Sequence, residues 1–400
     1  MIKVLLYLLA CFLILDGNSM YHSLADRDLN LQWICLAVAF VTIIFSGKSK
    51  MSASMFAVSY ILFIYFGVYF LLKYNDVNKG VYIGILIGVP MLLILFSNLK
   101  QLEMEYDLFY CVEDIVLILS IVSLFFWLVG EVFGLIHTNM SVITIWGQIR
   151  RREGYFGLQF VTDYSNSFGR GLPINSGIFT EGPMFCLWLC IALSTELFLK
   201  KRTKKARVIL LVMTILSTLS TTGIFYIALC VAIKYIDYMK KRTSLWKIIM
   251  TLILIMTLPI AIATLQQIYM LKAGTSSYFT RLQDYRAGYL IWKESPVLGS
   301  GYGDILSLQK YVLASRAGNV GFSNSITAIL GTGGLWNFII YILSIVLPLI
   351  RHDGENARVK GFFIAYAFLT IFLIFFARII MVVFFAFSLS RVKSVSNEKN

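Results

Sequence analysis

"GPMFCLWLCIALSTELFLKKRTKKARVILLVMTILSTLST", residues 182–221, is an apolar run, a basic turn and a second apolar run. The first run, 182–199, carries one charge, Glu196. At ~1.5 Å per residue a helix of that length covers most of the ~30 Å of hydrocarbon in a bilayer. The turn "KKRTKKAR" (200–207) holds six cations in eight residues. Short loops rich in Lys and Arg stay on the cytoplasmic side. The stretch therefore reads as two spanning helices joined by a cytoplasmic turn.

The pattern repeats in both directions. Apolar runs fall near 2–16, 31–47, 54–72, 80–97, 112–130, 182–199, 206–221, 222–238, 248–270, 326–350 and 361–390. The last is about 29 residues long and is interrupted by Arg378, which predicts a tight hairpin of two short helices. The expected fold is all-α, a polytopic integral membrane protein with about 11–12 transmembrane helices. Composition agrees: 58% of residues are hydrophobic and 14% charged, where a soluble domain is nearer a quarter charged. The alternation of an outer-membrane barrel is absent. The run Ile2 to Leu15 resembles a signal-peptide core, but no small-x-small site follows it closely, and it reads as a retained helix. Much of the net charge of +14 lies in short loops, so it reads as topogenic and not as a nucleic-acid surface.

Charge sets the organisation. The segments 234–247 and 351–360 and the tail after Ser390 are basic. Odd-even counting from a cytoplasmic N-terminus places them all on one side if there are twelve helices. The expected divisions are N-terminal helices over 1–130, a first long external loop over 131–181, helices with basic loops over 182–270, a second long external loop over 271–323, and C-terminal helices with a cytoplasmic tail over 324–400. Long loops rich in aromatic residues are ordered and functional more often than not. The six cysteines lie in or beside apolar runs and read as buried small hydrophobes, not metal ligands. His22, His137 and His352 are isolated and read as surface or interface residues.

The second long loop opens with "TRLQDYRAGYLIWKESPVLGSGYGD" (280–304). Tyr278, Leu282, Tyr285, Tyr289 and Trp292 recur at four and three, one face of a helix suited to the membrane surface. Arg281 flanks the stripe on one side, with Asp284 and Gly288 beyond it; Arg286 and Lys293 flank the other. Ser295-Pro296 ends the helix. The segment "GSGYG" (299–303) offers backbone N–H groups of a kind that can cradle an anion. Two readings stand here: an interfacial helix with snorkelling cations and a flexible turn, or a phosphate site at the bilayer surface.

The order Arg281, Trp292, Pro296, Gly299, Gly301 resembles the "R…W…P(I/L)xGxG" signature of O-antigen and capsule polymerases (the Wzy type) and O-antigen ligases. "RGLPINSGIFTEGPMFC" (170–186) is similar to that family's "RxxGxFxEPxxxA", "TLSTTGIFYIAL" (218–229) to its "TxSxxG", and "SNSITAILGTGGLWNFIIYI" (323–342) to the block after its large loop. The resemblance covers roughly residues 170–345. Glu181 is followed by Gly182 before Pro183, one residue longer than the usual Glu-Pro. Ligases of the family carry a His where this chain has Ser323-Asn324, which favours the polymerase.

The resemblance implies a GT-C-like membrane enzyme of the bacterial plasma (inner) membrane with its site on the periplasmic or extracellular side. It would transfer a growing glycan from undecaprenyl pyrophosphate to a lipid-linked repeat unit, in contact with membrane lipids and with a chain-length regulator as a further partner. It implies Arg281 as pyrophosphate ligand, supported by Arg170 and Arg286, with Gly299, Gly301 and Asn324 lining the substrate site. Glu181 is the candidate base, with helix-dipole stabilisation as its bland role; Asp284 is a weaker one, or a partner for Arg281. No cofactor or metal is needed, since the donor is already activated. "QIRRREGYFG" (148–157) reads as a grip on lipid headgroups or on the polymer. The competing class is a flippase for lipid-linked glycans, which would hold its essential charges near the bilayer midplane.

Overall fold

The computed structural model describes residues 1–25, 30–47, 53–146, 148–165, 171–240, 276–313, 316, 321–350 and 356–391. The run 248–270, Arg170, His352, half of each of the basic segments 234–247 and 351–360, and the tail after residue 391 lie outside the described residues. Helices dominate: α1 (Ile2–Asp16), α2 (Leu31–Ser46), α3 (Ala53–Leu72), α4 (Lys79–Gln101), α5 (Asp107–Phe126), α6 (Gly182–Ser194), α7 (Lys205–Ser217) and α8 (Thr221–Lys240) come first. They are followed by α9 (Ser276–Glu294), α10 (Ser325–Ile350), α11 (Asn356–Phe372) and α12 (Ile379–Ser390). Turns of π-helix extend α5 to Val132 and α6 to Leu199.

Among the described residues six helices are long and apolar enough to cross a membrane: Met55–Leu72, Lys79–Gln101, Asp107–Val132, Gly182–Leu199, Thr221–Met239 and Ser325–Ile350. Leu31–Ser46, Val359–Phe372 and Ile379–Ser390 are shorter apolar helices. The chain is a multi-pass, all-α membrane protein. A helix apolar on every side belongs inside a bundle. α6 and α12 are such helices: Phe185, Trp188 and Ile191 of one, and Met381, Phe384 and Phe387 of the other, are almost wholly buried. α3 lies outside them and exposes Phe56, Ile61 and Leu71.

The two faces of the bundle differ. At the basic-turn face Lys200 Nζ reaches Glu113 at 2.5 Å and Glu196 at 2.7 Å, and Arg207 reaches Glu113 at 3.0 Å and Asp114 at 2.7 Å. Glu196, the lone charge in its apolar run, is thus paired at a helix end and does not face lipid. At the opposite face lie the long loops and the turn between α11 and α12. Arg378 stands at the N-cap of α12, as the interrupted apolar run predicts for a hairpin. Its Nε donates to Asn18 Oδ1 at 2.6 Å, and it also meets His22, whose Nδ1 is 3.5 Å from Asp16. His22 therefore belongs to a half-buried polar cluster and is not an isolated surface histidine.

The first long loop carries the strands. β1 (Met140–Trp146) pairs antiparallel with β2 (Gln148–Tyr155), which pairs with β3 (Gln159–Phe160); β4 (Tyr164–Ser165) pairs with β5 (Leu172–Pro173). The alternation of "MSVITIW" against "QIRRREGY" explains the hairpin, a period-two signal too short to stand out beside long apolar runs.

In the second loop α9 covers the expected helix. Its buried side is Asp284, Ala287, Gly288 and Ile291, packed on α10, while Leu282 and Tyr289 are exposed. Gly288 permits that packing, since a Cβ there would sit 2.7 Å from Thr327 Cβ. α10 is broken at Gly334, with φ 61° and ψ −171°. The glycine-rich turn plugs the break: Ser300 N–H donates to Gly331 O at 3.1 Å and Gly301 N–H to Thr332 O at 2.9 Å. Leu335 and Trp336 N–H donate back to Pro296 and Val297 carbonyls, each at 2.9 Å. Gly299 takes φ 70°, and a Cβ on it would lie 2.4 Å from Thr332 O. The turn is thus a backbone splice, held by hydrogen bonds to both sides of the break in α10.

Candidate functional site

The long-loop ends of α6, α8, α9 and α11 converge on two residues, Glu181 and Arg281. Arg281 projects from the first half of α9 and is half-buried. Its Nη1 donates to Thr222 Oγ1 at 3.3 Å, in the first turn of α8, and to the Phe372 carbonyl at 3.2 Å, at the last residue of α11. Both partners sit where helix geometry leaves a backbone end exposed. Leu219, between α7 and α8, adopts φ 48°, which turns the chain sharply enough to bring Thr222 here. Among the described residues the Nη2 and Nε of Arg281 make no hydrogen bond. Burial lowers its pKa, and the charges around it, including Glu181, partly restore it. A guanidinium stays charged through such a shift.

Glu181 is the N-cap residue of α6, with extended backbone, and Pro183 follows in the first turn. Its carbonyl accepts from Met184 N–H at 3.0 Å, but its carboxylate makes no capping bond. Instead Oε1 accepts from Trp146 Nε1 at 2.9 Å, at the end of β1. Burial raises the Glu181 pKa; the Trp146 donor pulls it back, Asp163 raises it, and Arg152 and Arg150 lower it. Those arginines lie two apart on β2 and so share a face, flanking Asp163 at 3.8 Å and 3.7 Å. Arg152 also donates to the Thr162 carbonyl. Arg151 points to the other face, with Nε 3.1 Å from Ser141 Oγ.

The other expected residues divide. Asn324 is the N-cap of α10: its Oδ1 accepts from Thr327 N–H at 2.9 Å and from Thr327 Oγ1 at 2.7 Å. Its Nδ2 is buried without a partner among the described residues. Gly299 and Gly301 serve the splice. Arg286 is exposed on the opposite flank of α9 and does not join Arg281. Arg170 lies outside the described residues. Asp284 pairs not with Arg281 but with Arg316, at 2.7 Å. Burial raises the Asp284 pKa, and Arg316 and Ser323 hold it back.

Trp146 and Asp163 are neighbours that sequence reasoning did not single out; Arg150 and Arg152 belong to the 148–157 cluster read as a grip on headgroups or on the polymer, and Thr222 lies in the 218–229 block. Among the described residues no three His, Cys, Asp or Glu side chains gather into a metal-binding group. What remains is a carboxylate of raised pKa whose charge acts on a guanidinium with open donors, with strand cations acting on the carboxylate in turn. Such a set can accept a proton and neutralise an anion at once.

Residues 206–342 match the family model described as O-antigen ligase, a segment running from α7 into the kinked α10. The match covers about a third of the chain, which over that segment is similar to the O-antigen ligase family. No curated protein matches the chain.

Proposed function

We propose that the chain is a polysaccharide polymerase of the bacterial plasma membrane. It takes a growing glycan from undecaprenyl pyrophosphate and joins it to the non-reducing end of a lipid-linked repeat unit at the outer face. The observation that carries this reading is the convergence of Arg281 and Glu181 at the long-loop end of the bundle, where a lipid-borne pyrophosphate reaches headgroup height.

The chemistry follows from the geometry. The acceptor hydroxyl attacks the anomeric carbon, its proton passes to Glu181, and the bond to the carrier pyrophosphate breaks. Negative charge grows on the leaving pyrophosphate, opposite the open Nη2 and Nε of Arg281. A planar guanidinium meets two phosphate oxygens together. Fixed donors in a site withdrawn from water stabilise growing charge best, and removing one costs roughly 10²–10³ in rate. Arg150 and Arg152 would hold the anionic carrier beside it. A pKa raised by burial makes Glu181 a stronger base than an ordinary carboxylate.

The test is reconstitution of the purified chain in liposomes with lipid-linked repeat units as the only glycan. A ladder of polymer that needs Arg281 supports the reading. The description of the matching family favours a second one, a ligase; transfer only when a lipid-core acceptor is added would establish that instead. Movement of the intact units across the bilayer without glycan transfer would identify a flippase.

A further inference from the structure

The turn that joins β2 to β3 holds an aromatic ring where water would penalise it twice. Phe156 takes φ 52° and Gly157 φ 72°, and Leu158 N–H donates to Tyr155 O at 2.9 Å. A hairpin turn with both central residues left-handed favours Asn and Gly, and a bulky residue in that conformation is strained. Phe156 is nevertheless 64% exposed. Strain of this kind persists where the side chain has a task. The position of the ring indicates the task. Phe126 lies six residues before Val132, where the α5 span ends, and so ~9 Å inside that end. The Phe156 ring is 6.0 Å from the Phe126 ring, and Tyr155 stacks on Phe126 at 5.5 Å. The turn therefore hangs back alongside α5 instead of rising away from it. On α5 itself Ile118, Ile121, Phe125, Leu128 and Val132 recur at three and four and are exposed, the stripe a spanning helix shows to lipid. Just past its end, where Gly134 turns the chain at φ 65°, Phe133 and Leu135 are exposed as well, and so is Leu158 in the turn.

We infer that this turn, together with Phe133 and Leu135, is an anchor seated in the bilayer leaflet on the long-loop side. Lipid is the occupant because the patch continues a helix face that lipid already covers, and because the Phe156 ring reaches below the end of the span. Aromatic side chains gather at that depth, and exposed apolar clusters mark such contacts. In water the exposed ring would add to the strain of the turn; in lipid it offsets that strain. The anchor bears on the candidate site. β2 carries Arg150 and Arg152, and β1, paired to it, carries Trp146, the donor to Glu181. Seating one end of the sheet therefore fixes the height of these groups against the bilayer. The inference rests on the membrane-spanning fold and stands whichever transfer reaction the enzyme performs.

Nitroxide labels on the full chain in liposomes test it, read by collision with oxygen, which concentrates in hydrocarbon, and with a nickel chelate confined to the water on both sides. Leu135→Cys, Phe156→Cys and Leu158→Cys are labelled singly, with Arg202→Cys, exposed in the basic turn, as the water reference. Unsubstituted protein supplies the background of the native cysteines, five of which are buried. The ratio of oxygen to chelate collisions rises above the reference at all three positions. Phe133→Ser/Phe156→Gly removes both rings and relieves the turn, and the label on Leu158→Cys then shifts toward the chelate. If that variant fails to fold, the three single labels still decide. Chelate-dominated collisions at the two turn positions would place the turn in water, and labels reached by neither collider would mean that protein, such as a second copy of the chain, covers the patch. Either result overturns the inference, as does a label on Leu158→Cys that stays in lipid after both rings are removed.

Discussion

Replacing Arg316 by Ala strands a charge. Asp284 is wholly buried and the Arg316 side chain is 11% exposed, with 2.7 Å between them. Removing one member of such a pair costs about 3–5 kcal/mol, because the survivor keeps its desolvation penalty without its partner. Arg316 also donates to the Gly321 carbonyl at 3.3 Å and to Thr280 at 3.4 Å, two bonds worth about 1 kcal/mol each. Asp284→Asn on the Arg316→Ala background removes the stranded charge, so the double variant regains most of the loss and stays about 1–2 kcal/mol below wild type. Thermal unfolding in detergent, followed by tryptophan emission, reads this out: Trp292 is on the same helix and Trp336 on its neighbour.

The pH dependence has a fixed sign. Burial already raises the Asp284 pKa, and losing Arg316 raises it further. A raised carboxyl contributes its full stability below the unfolded value of about 3.9 and loses it as pH rises through the folded value. The deficit of Arg316→Ala therefore shrinks as pH falls. An Arg316→Ala protein within about 0.5 kcal/mol of wild type would mark the pair as a solvated surface contact, and a double variant no more stable than the single would refute the stranded-charge account.

Gly299→Ala and Gly334→Ala each put a Cβ 2.4–2.5 Å from backbone at positive φ, and lose about 2–5 kcal/mol from left-handed strain and overpacking together; Gly321→Ala, with open space around it, stays near wild type in the same melts. Trp146→Phe removes the donor that restrains the Glu181 pKa, so the acid limb of transfer activity moves to higher pH. Glu181→Gln abolishes that limb and lowers the rate by about 10²–10⁴. Because the Glu181 pKa is raised, its stability share is lost as pH rises, and Glu181→Gln unfolds at a higher temperature than wild type at neutral pH. Arg281→Lys retains a charge but not the planar fork, and loses about 10²–10³ of the transfer rate in liposomes.

The bundle was legible because desolvation is crude: long apolar runs must be buried or face lipid, and short basic turns mark their ends. The α9 helix and its stop at Pro296 were equally legible, as was the hairpin at Arg378. The sheet was not, since "MSVITIW" is a few residues of alternation in a sequence full of apolar residues. The splice made by "GSGYG" was hidden for a different reason. Glycine spacing reports backbone freedom, but whether that freedom serves a ligand or another backbone depends on the break at Gly334, which is far away in sequence. The partner of Asp284 was misplaced likewise: Arg281 is close along the helix, and the loop brings Arg316 closer in space.

Both halves of the candidate site are tied to the segment 372–378 between α11 and α12. On the Arg281 side, Ser325 N–H and Oγ–H donate to Leu373 O at 2.9 and 2.8 Å, and Phe372 O accepts from Arg281. On the Glu181 side, Asn18 O accepts from Thr180 N–H at 3.2 Å, and Asn18 Nδ2 donates to Ile374 O at 3.3 Å. Arg378 Nε then fixes Asn18 from the same turn. Asn18 and Arg378 therefore link the Glu181 arm to the segment that holds Arg281, alongside a second link through Asn175 and Ser217. Arg378→Ala releases the Glu181 arm while leaving Arg281 clamped. A misplacement of ~1 Å can cost about 10²-fold in rate, so kcat falls by up to that factor while KM for the lipid-linked donor holds. Equal losses in kcat and donor affinity would instead mean that Arg378 itself meets the pyrophosphate, and the anchoring role would be wrong.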